Sequence, residues 1–288
     1  MLTMTRMTDD YHIVSLPGGK CSVGSRSVGE VMHPDVGPSA EAFNLYVEQP
    51  RLRERVVATE GAFVIWDVGI GAGANILVAL QNISDIPAEL EIVSFDHSDA
   101  PLRFALEHAR ELNYFGELES SVAELLEHRT LDLKVGKLSV QWRLVIADFP
   151  ALLNGDSRSD YPSPHAIFHD AWSPKKNSQM WSGELFEKLF QSVGEGQDCV
   201  LSTYSRATVI RTALLLAGFY VGRGVGIGVK EETTQAATRM ELLAEPLGRD
   251  WFGRAQRSHA AEPFEITFRQ APLSKRSLER FRKHPQFV

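Results

Sequence analysis

Four aspartates close four short apolar runs in this 288-residue chain: Asp67 after 63–66, Asp96 after 91–95, Asp148 after 142–147 and Asp170 after 166–169. The first is followed at once by Gly69, Gly71 and Gly73, then by Asn75 and the apolar stretch 76–80. Glycines at this spacing let backbone amides approach a ligand without Cβ interference, and a helix N-terminus adds unpaired donors. The same residues satisfy a loose dinucleotide-binding fingerprint. Asp67 tilts the choice, because a carboxylate at the strand tip repels a pyrophosphate and suits an ammonium or sulfonium group.

Taken singly, each aspartate reads as a strand end bonded to turn amides. Four in succession beside a glycine loop describe an acidic rim, and ligands of open α/β sheets bind outside the carboxyl ends of the strands. Such a rim suits a cationic, hydroxyl-rich, amine-bearing ligand, with S-adenosylmethionine the leading candidate. Asp96 is placed to accept from ribose hydroxyls and Asp148 from an adenine amino group, while Asp67 faces the methionine ammonium region. NAD would use Asp96 in the same way.

A second constellation follows Asp170. The stretch 168–181 carries Trp172, Pro174, Lys175, Lys176, Asn177, Met180 and Trp181. A proline-stiffened loop at a strand tip suits amine methylation, which needs a neutral lone pair in line with the transferred methyl group and gains most from positioning. Asp170 is the candidate to orient the amine, and it or a bound water takes the proton. Trp172 either stacks on a base or plugs the loop from beneath. Met180 and Trp181 read as core. Lys175 and Lys176 are solvated loop charges unless the substrate is RNA, in which case they meet phosphate.

The elements that must position these residues alternate. Strand-like runs at 63–67, 91–96, 142–148, 166–170, 199–204, 219–222 and 231–238 are separated by helix-like segments at 75–81, 101–113, 121–131, 182–193 and 207–217. Strand–helix alternation over so long a stretch predicts a doubly wound, mostly parallel α/β sheet of seven strands. Ahead of it, 11–16 and 21–28 flank Pro17-Gly18-Gly19 as a hairpin, and Ser39 is placed to cap a helix that ends at Pro50. Beyond it, 264–268 reads as a further strand, and the chain closes on a basic helix-like end. The expected divisions are an N-terminal extension at 1–58, the α/β domain at 59–245 and a C-terminal basic tail at 246–288.

Composition narrows the function classes. Hydrophobic residues make up 43% and charged residues 23%, as in ordinary globular proteins. No apolar run is long enough to span a membrane, and the first ten residues lack a signal-peptide core. Cys21 and Cys199 form no paired motif, so neither a disulfide framework nor a zinc site is expected, and a reducing cytoplasm is the expected location. The histidines show no metal-ligand spacing, and no metal is expected. A net charge of −7 gives no global attraction to nucleic acid, so a polyanionic substrate requires a local basic patch. Between Arg249 and Lys283, nine basic residues face four acidic ones.

With these residues in hand, the chain resembles the methyltransferase domain of the bifunctional tRNA 5-methylaminomethyl-2-thiouridine biosynthesis enzymes, including stand-alone relatives, across most of 60–240. Asp67-x-Gly69-x-Gly71-x-Gly73-x-Asn75 is similar to the family's glycine loop. Asp170-x-x-x-Pro174-x-x-Asn177-x-x-Met180-Trp181 is similar to its most specific loop. Thr203-Tyr204, Arg211, Ala217-Gly218-Phe219 and Gly226-Ile-Gly228-x-Lys230 follow in the expected order, and segments around Glu30, Met32 and Ala40–Val47 resemble its lead-in.

The resemblance implies a class I, Rossmann-like methyltransferase using S-adenosylmethionine to methylate the amine of 5-aminomethyl(2-thio)uridine at the tRNA wobble position. It implies catalytic roles for Asp170, with Trp172 and Pro174 beside it. Cofactor contacts are implied for Glu30, Met32, Asp67, Gly69, Gly71, Gly73, Asn75, Asp96 and Asp148, and substrate contacts for Lys175, Lys176, Asn177 and Lys230. Ala171, Trp172 and Ser173 replace the family's usual Gly-Phe-Ala, Glu231 replaces a common arginine, and His169 replaces an apolar residue. No dinucleotide loop follows 240, so another enzyme would supply the aminomethyl group. The competing readings are a methyltransferase acting on a small-molecule amine, a nicotinamide-dependent oxidoreductase, and a non-catalytic binding module.

Overall fold

A computed structural model describes residues 8–33, 36–155, 160–229 and 231–288. The chain forms two compact units, one of Met1–Ala147 with Ile227–Val229, the other of Asp148–Gly226 with Lys230–Val288.

The first unit opens with a small antiparallel sheet of β1 (Tyr11–Ser15), β2 (Cys21–Ser25) and β3 (Glu30–Val31). The expected hairpin is present, in register from Tyr11↔Ser25 to Ser15↔Cys21. Helix α1 (Pro38–Ala42) begins from Gly37 at φ 84°, so Ser39 lies inside the helix rather than capping it. A π-helical turn, Phe43–Glu48, and α2 (Leu52–Ala58) follow.

The main sheet of this unit has the order β4 (Phe63–Val68), β5 (Glu89–Asp96), β7 (Leu138–Ile146), β6 (Thr130–Val135). Every residue of β4 is buried, as expected for a strand covered on both faces. In β7 the buried residues alternate as Leu138, Val140, Trp142 and Leu144. Strands β4, β5 and β7 are parallel, and β6 runs against β7. The connecting helices are α3 (Ala74–Ile83), α4 (Ala100–Glu107), α5 (Ala109–Leu112) and α6 (Glu119–His128).

The second unit has the order β10 (Tyr220–Gly224), β11 (Thr233–Ala237), β9 (Val200–Thr203), β8 (Ala166–His169). Strands β8 and β9 are parallel, while β11 runs against both of its neighbours. Three of the four strands in each unit therefore share a direction. Around them pack α7 (Phe149–Asn154), α8 (Gly183–Gln191), α9 (Thr208–Ala217), α10 (Arg249–Gln256) and α11 (Lys275–Arg282). Arg211 of α9 is buried and donates to Thr234 Oγ1, to the Thr233 carbonyl and to Glu232, tying α9 to β11.

Among the described residues the two units contribute eight strands besides the small N-terminal sheet, one more than the seven expected. The addition is β6, most of which sequence periodicity leaves between elements, with Leu131 assigned to a helix. Arg129 adopts φ 65° and ends α6 early. A turn at Gly136 then returns the chain as a hairpin; Gly136 has φ 59°, and a Cβ there would stand 2.3 Å from the Ser84 carbonyl oxygen. The strand expected at 264–268 is absent. That segment is held instead by Gly183 N–H donating to the Phe264 carbonyl and by Phe264 packing on Phe268 at 5.4 Å. Among the described residues no helix is long and apolar enough to cross a membrane.

Candidate active site

In the first unit the chain turns sharply at the carboxyl ends of β4 and β5. Gly69, Gly71 and Gly73 all have positive φ, at 90°, 51° and 83°. The Gly69 and Ile70 amides both donate to the Phe95 carbonyl, at 2.9 and 3.1 Å, and Gly73 N–H donates to Ile70. These amides bind the loop to β5 and to itself. The Gly71 amide donates to Asp96 Oδ2 at 3.0 Å. The other carboxylate oxygen accepts from the His97 and Ser98 amides at 2.8 and 3.3 Å. Asp96 is thus fixed as an acceptor at the strand tip, with lone pairs remaining for hydroxyl donors.

The N-terminal sheet supplies a wall to this loop. A Cβ built on Gly71 would lie 3.4 Å from both Cε and Sδ of Met32, so the methionine rests against the glycine backbone. Met32 is held by its amide donating to Val23 and by Ser22 Oγ donating to its carbonyl. Next to it, His33 Nε2 is 3.2 Å from Asn75 Oδ1 on the first turn of α3. Tyr11 of β1 also faces this corner: burial, with the Asp96 and Asp10 carboxylates nearby, pushes its phenol up to about 12. Sequence reasoning did not select Tyr11, and it named His33 only as the end of the lead-in segment 25–33 that resembles the family's, without a role of its own. The small N-terminal sheet brings both to a strand tip more than forty residues away.

Asp67 lies deeper than a rim position. It is fully buried and accepts from Ser94 Oγ at 2.9 Å, and Ser94 in turn accepts from Trp142 Nε1 at 3.0 Å. Glu30, half-buried in β3, pairs with Ser25 of β2. The structure therefore gathers Met32, Gly71, Asp96 and Asn75 at one corner, with Asp67 in a polar chain across β4, β5 and β7.

In the second unit Asp170 is half-buried directly after β8. The loop beyond it is held from below. Trp181 Nε1 donates to the Trp172 carbonyl at 2.7 Å, and the Tyr204 hydroxyl donates to the Ala171 carbonyl at 3.0 Å. The Trp181 ring meets Tyr204 edge-on at 5.4 Å and His169 at 4.7 Å. Trp181 and Met180 are core, as expected, while Trp172 and Pro174 are partly exposed. A tight turn follows, with the Lys176 and Asn177 amides donating to the Ser173 carbonyl, which leaves Lys175 and Lys176 exposed. His169 points away from solvent and is fully buried; burial lowers it to about 4.

Asp148 is exposed at the N-terminus of α7, where its Oδ1 accepts from the Ala151 amide at 3.1 Å. It is a helix cap, which leaves its second oxygen for a ligand. Lys230 lies outside the described residues.

The first unit's corner fits an adenosine-bearing cofactor with a cationic end: a glycine cradle that any Cβ would strain, an amide-anchored carboxylate, and a thioether wall. Residues 115–239 match the model of a family described as S-adenosyl-L-methionine-dependent methyltransferase. The tRNA 5-methylaminomethyl-2-thiouridine biosynthesis bifunctional protein MnmC of Pseudomonas fluorescens is 31% identical over 254 residues, covering 81% of this chain and 36% of that protein. The Stutzerimonas stutzeri protein of the same name is 31% identical over 246 residues, with the same coverages of 81% and 36%. The chain spans 36% of the length of these curated relatives. The crystal structure of MnmC2 from Aquifex aeolicus shares the fold, with a TM-score of 0.68 at 24% identity over 94% of this chain and 82% of that one.

Proposed function

We propose that the chain is an S-adenosyl-L-methionine-dependent methyltransferase, as its family-model match suggests, and that it methylates the amine of 5-aminomethyl(2-thio)uridine at the wobble position of tRNA. The names of its curated relatives point to this substrate. The observation in the chain itself that carries the reading is the Asp170 loop. It sets one carboxylate at a strand tip, fixes the backbone behind it through Trp181 and Tyr204, and presents two lysines outward.

The cofactor supplies a methyl carbon activated by its sulfonium sulfur. In the first unit Asp96 would hold the ribose hydroxyls and the glycine loop and Met32 the ligand's flank; the sequence pattern gives the adenine amine to Asp148. The acceptor amine enters neutral. Asp170 accepts one of its N–H bonds and so aims the lone pair. The bound cofactor would give up its methyl group and leave as S-adenosylhomocysteine, and Asp170 or a water it holds takes the surplus proton from the methylated nitrogen. The lysines at 175 and 176 meet phosphates flanking the base, and the work is that of a cytoplasmic tRNA-modifying enzyme.

The test is methylation of total tRNA from cells that make the aminomethyl base but not the methylaminomethyl one, read by nucleoside mass spectrometry. Conversion of the aminomethyl nucleoside is expected. Cofactor binding without any incorporation into tRNA would sink the tRNA reading and move the acceptor to a small amine.

A further inference from the structure

The C-terminal basic segment carries two helices, the second of them at its basic helix-like end. Helices α10 and α11 face each other through aromatic rings: Phe281 lies 6.1 Å from Trp251 and 4.7 Å from Phe252, and Phe287 lies 4.9 Å from Phe252. Trp251, Phe281 and Phe287 are buried. With the apolar faces occupied, Arg249, Arg254 and Arg257 of the first helix region and Lys275, Arg276, Arg282 and Lys283 of the second are all exposed, as is Arg269 between them. Arg280 spends its charge on Glu187, at 2.9 Å. The other eight have no ion pair among the described residues. Nor does Glu262 neutralise them: its carboxylate accepts from the Ser274 amide and the Ser277 hydroxyl at the start of α11.

Eight cations without an ion pair in a chain of net charge −7 concentrate positive charge on this one segment. The connection between α10 and α11 also runs to the Asp170 loop. Ser178 Oγ donates to the Ile266 carbonyl at 2.5 Å, and Gly183 N–H donates to Phe264 at 3.1 Å. The basic helices and the acceptor loop are thus joined by hydrogen bonds within one unit.

We propose that α10, α11 and the segment between them form a phosphate-binding platform that docks the tRNA backbone for the Asp170 loop. This deepens the tRNA reading and rests on it. Phosphate contacts by arginine and lysine fix orientation without reading sequence, which suits an enzyme whose chemistry selects the modified base. They also make affinity fall with salt, by roughly 0.7–0.9 log units per log unit of salt for each phosphate neutralised.

The experiment compares the full chain with the triple variant Arg276→Glu, Arg282→Glu, Lys283→Glu, measuring tRNA affinity at several salt concentrations and KM for tRNA. The controls are S-adenosylhomocysteine affinity, which reports folding, and a variant with Arg276→Lys and Arg282→Lys. The reversal should weaken tRNA binding by about tenfold or more and reduce the salt slope by roughly two to three. The lysine variant should bind as the parent does, and all should bind S-adenosylhomocysteine equally. If the parent methylates tRNA while the reversal changes neither KM nor salt slope, the platform is overturned and the tRNA reading stands. If the parent neither binds nor methylates tRNA, both fall. Loss of anionic-vesicle binding with tRNA affinity intact would also overturn the platform and assign this surface to a membrane.

Discussion

The Gly71 amide donates to the Asp96 carboxylate across 3.0 Å, joining the glycine loop after β4 to the tip of β5. One bond thereby couples the shape of the loop to the position of the acceptor. Removing the carboxylate should both free the Gly71 amide and delete the ribose partner. Asp96→Ala is expected to weaken S-adenosylhomocysteine binding by about 1–3 kcal/mol, the range for losing hydrogen bonds to a charged group. Titration calorimetry decides it, and an unchanged dissociation constant removes Asp96 from the cofactor site.

Asp170 should separate from Asp96 in its kinetic signature. It orients the acceptor in the mechanism proposed here, so Asp170→Ala should abolish methyl transfer while leaving S-adenosylhomocysteine affinity within a factor of about two. Asp170→Asn keeps a hydrogen-bond acceptor but cannot take the proton, and should retain substrate binding with a much lower kcat. A loss of cofactor affinity comparable to that of Asp96→Ala would place Asp170 on the cofactor instead.

The loop behind Asp170 depends on one indole. Trp181→Phe keeps the ring beside His169 and Tyr204 but removes the donor to the Trp172 carbonyl. A buried acceptor left without its partner costs about 1–3 kcal/mol. The variant should unfold earlier in urea and lose kcat through a loosened acceptor loop, and a parental midpoint and rate would show that the bond does not hold the loop.

These relationships differ in how far they can be read from the chain. The strand tips were legible because β4, β5 and β8 are short apolar runs closed by aspartate, and burial on both faces leaves few other assignments. The same pattern could not tell Asp148 the helix cap from Asp96 the anchored acceptor, since both meanings put an aspartate before a turn. The glycine loop was legible as a turn, but its amides are largely taken up by Phe95 and Asp96, a long-range pairing that local spacing does not encode. Strand β6 was missed because Arg129 leaves α6 through a left-handed conformation that arginine seldom signals. In the C-terminal segment the basic helix-like end was legible, but its packing was not: the aromatics are spread over Trp251 to Phe287 and become a core only when the two helices meet.

His169 makes stability depend on pH in a definite direction. Burial holds its folded value near 4, below the ordinary 6.5, so the neutral ring is the one that folds. Between those values the unfolded chain binds a proton that the folded chain does not, and stability is lost as pH falls from about 6.5 toward 4. The loss between pH 7 and pH 5 should be about 2 kcal/mol from this group. His169→Phe, packed against Trp181 and Phe186, should remove that part of the acid sensitivity. Urea titrations of both proteins at the two pH values decide it, and parallel losses would rule His169 out as the source.

Gln286 binds the outer edge of β10, where the 245–247 backbone also bridges to Gly222. Its Oε1 accepts from the Val221 amide at 2.8 Å, and its Nε2 donates to the Val221 carbonyl at 2.7 Å and to Leu247 at 2.9 Å. One side-chain amide thus satisfies the Val221 amide, joins the Leu247 amide as a donor to the Val221 carbonyl, and fastens the last turn of the chain beside Phe287. Gln286→Ala leaves the Val221 amide to find water at a partly buried edge, while the Val221 carbonyl keeps the Leu247 amide, at a cost of about 1–3 kcal/mol. The aromatic contacts of Phe281 and Phe287 would then hold α11 alone. Limited proteolysis should release a fragment carrying α11 from the variant before any is released from the parent, and the midpoint of urea unfolding should fall. Cleavage at the parental rate would mean that the aromatic cluster suffices, and that the Gln286 bonds close the sheet edge without anchoring the C-terminus.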